Sequence, residues 1–519
     1  MKIIRFQALS LIHISVIHTS VIVTSLFATS VWAAEFQNGQ AARAVIGQSS
    51  FSAREAAITP TVLAISNGWL YAADASHRLL TFDLSQIPGP KDEPAEHSGL
   101  LCALCGFSVV AIANQAVLPG VAGVSIYGRT IVAADTQSHR VLIWRDSSLP
   151  RAAKGPDVLL GRTSGDFSAV SASTIVDPVS VAFDGKRLFV GDAALHRILI
   201  WNSLPATDTQ PADVVLGQQS FSSVTAADVP APDTINRPTS IVSDGTNVFV
   251  ADALDHRVLV FTAADLPLSA GSILNSASLA AGPSSPGTLV TVAGVGAASS
   301  GESTSEGAAP LPTKLAGVEV FLNGMKLPLL STAGSEIRAQ LPYQLDAPSA
   351  ASLYVRIERE DGTVNVTNAV AVKVLAGAPG LFAFGGPEPR SGMILHAAAN
   401  SAEPGTPVTS ENPARPGEVL VVWTAGLGAV DDNDAPEPVV AGQPFPGPGA
   451  AVLHPVSATV SGRLAPVVEA QLPEGSIGIY QLRVTLPPDL PDDARTPLVI
   501  SQEGISSNTV TIPVRKPID

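Results

Sequence analysis

Four copies of one short motif dominate the first half of the chain and leave few folds open to it. They read His77-Arg78-Leu79-Leu80-Thr81-Phe82, His139-Arg140-Val141-Leu142-Ile143-Trp144, His196-Arg197-Ile198-Leu199-Ile200-Trp201 and His256-Arg257-Val258-Leu259-Val260-Phe261, with histidines 62, 57 and 60 residues apart. Each follows an apolar run ending in a small residue and an aspartate: Ala73-Asp74, Ala134-Asp135, Gly191-Asp192 and Ala251-Asp252. Further upstream comes a strand led by Pro60, Pro119, Pro178 or Pro238. A fourth element ends in glycine: Arg43 to Gly47, Cys102 to Gly106, Asp157 to Gly161 and Asp213 to Gly217, with glycine spacings of 59, 55 and 56. Four short strands per unit make one blade of a propeller.

The order of the elements predicts how the array closes. The chain enters on a fourth-type strand near Ala44 and leaves the repeat on a third-type strand at Phe261. The first strand is therefore expected beside the last, completing the fourth blade and sealing a four-bladed ring without free edges. An open array, or a ring completed by another chain, is the alternative. Leu80, Leu142, Leu199 and Leu259 alternate with residues that are mostly Val or Ile, so these strands are apolar on both faces. That suits strands sandwiched between neighbouring sheets, where burying each Leu contributes roughly 1.5–3 kcal/mol.

Composition agrees with an all-β protein: 46% hydrophobic, 14% charged, with 43 Gly and 42 Pro. The net charge of −15, without a basic patch or stripe, argues against nucleic acid as a partner. Residues 1–33 read as a signal peptide: Lys2 and Arg5, an apolar run, then Val31-Trp32-Ala33 as the small-residue cleavage pattern. No later segment is long and apolar enough to span a membrane, so an exported protein of periplasmic, cell-surface or extracellular address is expected. The only cysteines are Cys102 and Cys105. In an extended strand they lie roughly 10 Å apart on opposite faces, which argues against a Cys102–Cys105 disulfide unless a local turn intervenes.

The second half carries its own repeat. Pro286-Gly287-Thr288-Leu289-Val290-Thr291-Val292 matches Pro416-Gly417-Glu418-Val419-Leu420-Val421-Val422, and Asn323-Gly324 matches Ser461-Gly462 as hairpin turns. Asn368-Ala369-Val370 matches Asn508-Thr509-Val510. Two antiparallel sandwiches of immunoglobulin-like type follow. The expected organisation is a signal peptide at 1–33, a propeller at 34–265, and β-sandwich modules at 270–376 and 377–519.

The unit x-x-V-A-D-x-x-x-H-R-V-L-x-F/W resembles the NHL repeat over about residues 44–261, in units longer and fewer than is usual for that family. The stretches Ser272 to Ser278, Asn412 to Gly417, Thr424 to Gly428 and Ser506 to Val510 resemble the uncharacterised C-terminal domain of exported acidobacterial proteins over about 270–516. That second resemblance implies an architecture and no activity.

The polar residues that invite a chemical reading are Asp74, His77, Asp135, His139, Asp192, His196, Asp252 and His256. Catalytic sites break symmetry, whereas these recur at one position per unit, so a structural role is expected: each fixes its own hairpin, the carboxylate accepting backbone N–H bonds. Facing a channel, Asp74, Asp135, Asp192 and Asp252 would be candidate ligands for a hard cation; no metal or other cofactor is assigned. There is no Gly-Xaa-Ser-Xaa-Gly elbow, no His-Glu-Xaa-Xaa-His, no phosphate loop and no EF-hand loop. Asp431, Asp432 and Asp434 read as a solvated loop and Glu358, Glu360 and Asp361 as a hairpin tip. The expected function is non-enzymatic: a propeller as interaction platform for a protein or carbohydrate ligand, followed by spacer or adhesion modules. The alternative is an exported hydrolase or lyase, metal-dependent in one version, with its site at the propeller mouth. Oligomeric state is left open.

Overall fold

The computed structural model describes residues 34–55, 58–66, 68–76, 78–87, 89, 91–92, 100–101, 110–111, 121–146, 156–161, 169–296, 303–305, 307–397 and 404–516. The signal segment, His77, Cys102 and Cys105 lie outside them. The fold is all-β, built of antiparallel sheets with single-turn 3-10 helices between strands. Among the described residues no helix is long and apolar enough to cross a membrane.

The repeat region forms four sheets. Its strands are β1 (Ala44–Ile46), β2 (Pro60–Ser66), β3 (Trp69–Asp74), β4 (Arg78–Asp83), β5 (Leu100–Leu101), β6 (Val110–Ala111), β7 (Val121–Tyr127), β8 (Thr130–Asp135) and β9 (Arg140–Trp144), and then β10 (Val158–Gly161), β11 (Pro178–Phe183), β12 (Leu188–Asp192), β13 (Arg197–Trp201), β14 (Val214–Leu216), β15 (Pro238–Ser243), β16 (Asn247–Asp252) and β17 (Arg257–Thr262). The first sheet is β2-β3-β4-β6, the second β7-β8-β9-β10, the third β11-β12-β13-β14, and the fourth β15-β16-β17-β1-β5. All four bulge at one place, after the pairs Pro60–Asp74, Val121–Asp135, Pro178–Asp192 and Pro238–Asp252.

The entering strand lies where the strand count puts it. Ala44, Val45 and Ile46 pair antiparallel with Val260, Leu259 and Val258, in the register in which Val214, Val215 and Leu216 pair with Ile200, Leu199 and Ile198. The first sheet departs from expectation. Its β4 pairs with Val110–Ala111, Arg78 lying opposite Ala111, and the expected strand from Cys102 to Gly106 lies outside the described residues.

Three apolar cores join successive sheets. One packs Val132, Val141 and Ile143 of the second sheet on Val181, Leu199 and Trp201 of the third. The next packs Phe189, Ile198 and Ile200 on Ile241, Val250 and Leu259 of the fourth. The last packs Phe249, Val258 and Val260 on Leu63, Leu70 and Leu80 of the first. Serines cross the same junctions: Ser125 Oγ accepts from Phe183 N at 2.9 Å, Ser180 Oγ from Ile241 N at 3.0 Å, and Ser240 Oγ from Leu63 N at 2.9 Å. The sheets thus run second, third, fourth, first. Among the described residues no core joins the two ends of that row.

Beyond residue 265, two pairs of sheets each enclose a core, one around Val292, Val320, Ile337 and Val355, the other around Leu420, Val460, Leu482 and Ile500. Both expected hairpin turns form, with positive φ at both central residues: 50° and 79° at Asn323-Gly324, 52° and 73° at Ser461-Gly462. The matching asparagines do the same work. Asn368 accepts from Leu268 N and donates to Leu268 O, and Asn508 does so with Leu381. The segment from Ala41 to Ser52 is clamped between the fourth sheet and the first of these units. Ala41 bridges to Ala369, Ser352 Oγ donates to Ala42 O at 2.7 Å, and the Arg43 guanidinium lies 4.1 Å above the Tyr354 ring.

Candidate functional site

The repeated aspartate ends the second strand of each sheet, and in the first, third and fourth its carboxylate turns back on the loop that entered that sheet. Asp74 accepts from Thr59 N at 3.0 Å, Asp192 from Asp177 N at 2.9 Å, and Asp252 from Asn236 N at 2.7 Å. Its counter-ion is the arginine five residues on: Arg140 Nε lies 3.0 Å from Asp135, Arg197 Nε 3.7 Å from Asp192, and Arg257 Nε 2.7 Å from Asp252. The last two pairs are fully buried. Burial pushes the Asp192 carboxyl up, and Asp252 to about 6 despite the pull of Arg257. Burial also lifts Asp135, but the bonds from Ser138 and Arg140 outweigh it and hold that carboxyl below the usual range.

The arginine also stitches loops. Arg257 donates to the carbonyls of Phe51, Ala231 and Thr234, and Arg197 to those of Phe221, Ser171 and Thr174. Phe51 follows β1 as Phe221 follows β14, so the entering strand reproduces its slot down to this carbonyl. Sequence reasoning missed the arginine, although it recurs in all four motifs, four residues after Asp74 and five after Asp135, Asp192 and Asp252.

The histidine departs from expectation. It does not fix its own hairpin with its ring; it reaches the next sheet. His139 Nδ1 meets Val176 O at 2.5 Å, His196 Nδ1 accepts from Arg237 N at 3.1 Å, and His256 Nδ1 shares a hydrogen bond with Thr59 Oγ1 at 3.0 Å. Its backbone caps the preceding turn at φ 51–56°. Burial and the nearby Arg237 push the His196 imidazole below its ordinary range. The structure therefore does not gather Asp74, Asp135, Asp192 and Asp252 round a common point, and among the described residues no three His, Cys, Asp or Glu side chains converge to hold an ion.

These turns share one end of the row with the loops that lead from the glycine of one sheet to the first strand of the next. Gly47 to Pro60, Gly161 to Pro178 and Gly217 to Pro238 are 13, 17 and 21 positions apart. At Gly217 (φ +83°) an added Cβ would come within 2.7 Å of Ile235 Cδ1, which holds the loop base tightly while its length varies. In the longest loop Gly217, Gln218, Gln219, Ser223, Thr225, Asp233 and Thr234 line a cleft of about 250 Å³. Its floor is pinned by Gln218 Nε2, which donates to His196 O and Thr225 O, and Gln219 Nε2 donates to Asp233 at 2.6 Å. Burial pushes the Asp233 carboxyl up. The cleft offers hydroxyls, amides and one carboxyl, and no aromatic face.

The remaining acidic residues hold turns. Asp431 accepts from Asn433 N, Asp432 from Val439 N, and Asp361 from Thr363 N, while Glu358 pairs with Lys314.

Fold and site together define a class: an all-β protein with a repeated, internally satisfied polar turn and one loop-lined end. No protein-family model and no curated protein matches the chain. Similar solved structures include the computationally designed Ika8 protein, at 13% identity over 39% of this chain and 45% of that chain, with a TM-score of 0.18. The nidogen/laminin complex matches at 17% over 40% and 77%, with a TM-score of 0.18. The fibronectin(III)-like modules of Clostridium thermocellum CbhA match at 13% over 47% and 93%, with a TM-score of 0.14. The chain spans under half the length of the first of these. Scores this low carry no argument for fold or function.

Proposed function

We propose that this is an exported, non-enzymatic binding protein, in which NHL-like propeller blades present loops as an interaction platform and two immunoglobulin-like β-sandwiches serve as spacer or adhesion modules. The observation that carries the reading is that the repeated polar set is consumed internally. The described aspartates, Asp74, Asp135, Asp192 and Asp252, bind backbone or arginine, and the described histidines, His139, His196 and His256, tie one sheet to the next. The loops at the same end vary in length from unit to unit, and binding residues commonly gather on such loops of a rigid scaffold. The polar lining of the cleft between Gly217 and Thr234 supports a hydroxyl-bearing ligand such as a carbohydrate.

The test is a glycan and protein array probed with the purified protein, repeated with a variant whose Thr225–Asp233 segment is shortened to the length of the first loop. Binding lost on shortening supports the platform. Binding that survives it, or that maps to residues beyond 270, removes the role from these loops.

A further inference from the structure

Position by position, the row of sheets contains two half-junctions that match the three formed ones and that, among the described residues, share no apolar core with another sheet, although Ile131 and Ala133 on the second sheet's face are themselves buried. Leu63, Val181 and Ile241 stand third in the opening strands of the first, third and fourth sheets, counting from the proline, and each is 2–5% exposed in the core it shares with the preceding sheet. In the second sheet Val121 takes the proline's place opposite the aspartate, so Val124 holds that position, and it is 54% exposed, with Ile126 beside it at 64%. On the opposite side, Phe189 and Phe249 are fully buried against the sheets that follow theirs. The first sheet has Tyr71 there, half-buried, next to Val62 at 44% and Trp69 at 39%.

The strands record the same asymmetry. β12, β13, β16 and β17 are buried at every residue, whereas β3 and β9 alternate between buried and partly exposed. A strand with a solvent face normally alternates apolar with polar. On these faces Val62, Ala64, Trp69, Tyr71, Ala122, Val124 and Ile126 carry no charge and only one hydroxyl, and the polar neighbours on the first sheet's face are Thr81, opposite Tyr71, and Asp83, opposite Trp69.

We propose that a second copy of this chain covers both faces, its second sheet packing on the first sheet of its partner and its first sheet on the partner's second, so that two rows of four close an eight-sheet ring. The contact continues an established interface: it adds a fourth step in which Val124 meets the Tyr71 face as Val181, Ile241 and Leu63 meet the faces before them. In the three formed junctions Phe189, Leu199 and Phe249 are already wholly buried. A head-to-tail contact that closes after two copies leaves no free end, and eight sheets lie within the usual range for closed rings of this kind. The inference rests on the three formed junctions and is independent of any ligand.

Light scattering coupled to size exclusion, on the purified protein over a hundredfold range of concentration, should give twice the chain mass. Val62→Asp and Val124→Asp should each give the single chain mass with unchanged circular dichroism, since both residues are exposed in the lone chain. Each variant keeps one intact face, and the intact faces are complementary. Mixing the two should therefore restore a one-to-one dimer, whereas either alone stays single. Acrylamide quenching of Trp69 should fall as the wild type associates. A wild-type protein of single-chain mass throughout would place the cover within the chain and overturn the proposal; so would either variant remaining dimeric.

Discussion

Replacing Arg257 by Met tests the role assigned to the repeated arginine. The methylene stem is kept, but Asp252 loses its cation at 2.7 Å and the carbonyls of Phe51, Ala231 and Thr234 lose their donor. Hydrogen bonds to a charged group contribute about 1.5–3 kcal/mol each, and partial hydration recovers some of that, so a floor of about 4 kcal/mol is expected. A pH-dependent part adds to it. Asp titrates near 3.9 in an unfolded chain and at about 6 here. Between those values the folded state holds a proton that the unfolded state has lost, so wild-type stability falls as pH rises through that window, by about 1.4 kcal/mol per unit from this group. Above pH 6 the wild-type carboxylate ionises against Arg257, whereas the variant has no cation and stays protonated to higher pH. The destabilisation should therefore grow by about 1.4 kcal/mol per unit above pH 6, until the variant's own carboxyl ionises. Against a total of about 5–15 kcal/mol, the fourth sheet should be severely weakened at neutral pH. Urea melts of both proteins at pH 5, 6, 7 and 8, followed by tryptophan fluorescence, read this directly. A loss below about 1 kcal/mol at pH 7, or one equal at pH 6 and 8, would refute the reasoning.

Three further outcomes can be checked by the same melts. His256 sits at φ 53° and reaches Thr59, so Ala there should be worse than Gly by about 1 kcal/mol, both losing the tie and only Ala keeping the strained backbone. Gly217→Ala should cost about 2–4 kcal/mol, because strain at φ +83° adds to the clash with Ile235, while Gly245→Ala, at φ +93° with open space around it, should lose only the strain of about 1 kcal/mol. Asn368→Ala strands Leu268 N and O in a buried site and should destabilise the unit after residue 265 by about 2 kcal/mol, with Asn508→Ala doing likewise in its successor.

The repeat made the sheets legible because each element occurs several times, so one degenerate copy does not erase the rule. Counting strand types placed Ala44–Ile46 beside Val258–Val260, and the two-residue turns at Asn323-Gly324 and Ser461-Gly462 followed from local backbone preference. The most drifted copy, Cys102 to Gly106, lies outside the described residues, and the outer strand described beside β4 is Val110–Ala111. The aspartate's backbone bonds were foreseeable from the chemistry of a carboxylate after a strand. The histidine's reach was not, since identical positions in every unit say nothing about whether a side chain turns inward or to its neighbour. The difference between Asp135 and Asp252 was hidden for a related reason. The motifs are alike, and only their place at the end or middle of the row sets how much water reaches them.

The clasp formed by Ala41 to Ser52 also fixes an order of events. The strand that leaves the ribosome first must wait for Val258–Val260, some two hundred residues later, and for Ser352 and Tyr354 later still, before its hydrogen bonds are met. Until then the edge that will face β17 stands bare, its opposite edge alone having β5 (Leu100–Leu101) to pair with, and a chain truncated before the fourth sheet has no β17 to cover it. Once seated, the same short ribbon is gripped from two sides, so a force applied between the sheet row and the distal units loads the beginning of the chain as well as the connection near residue 265.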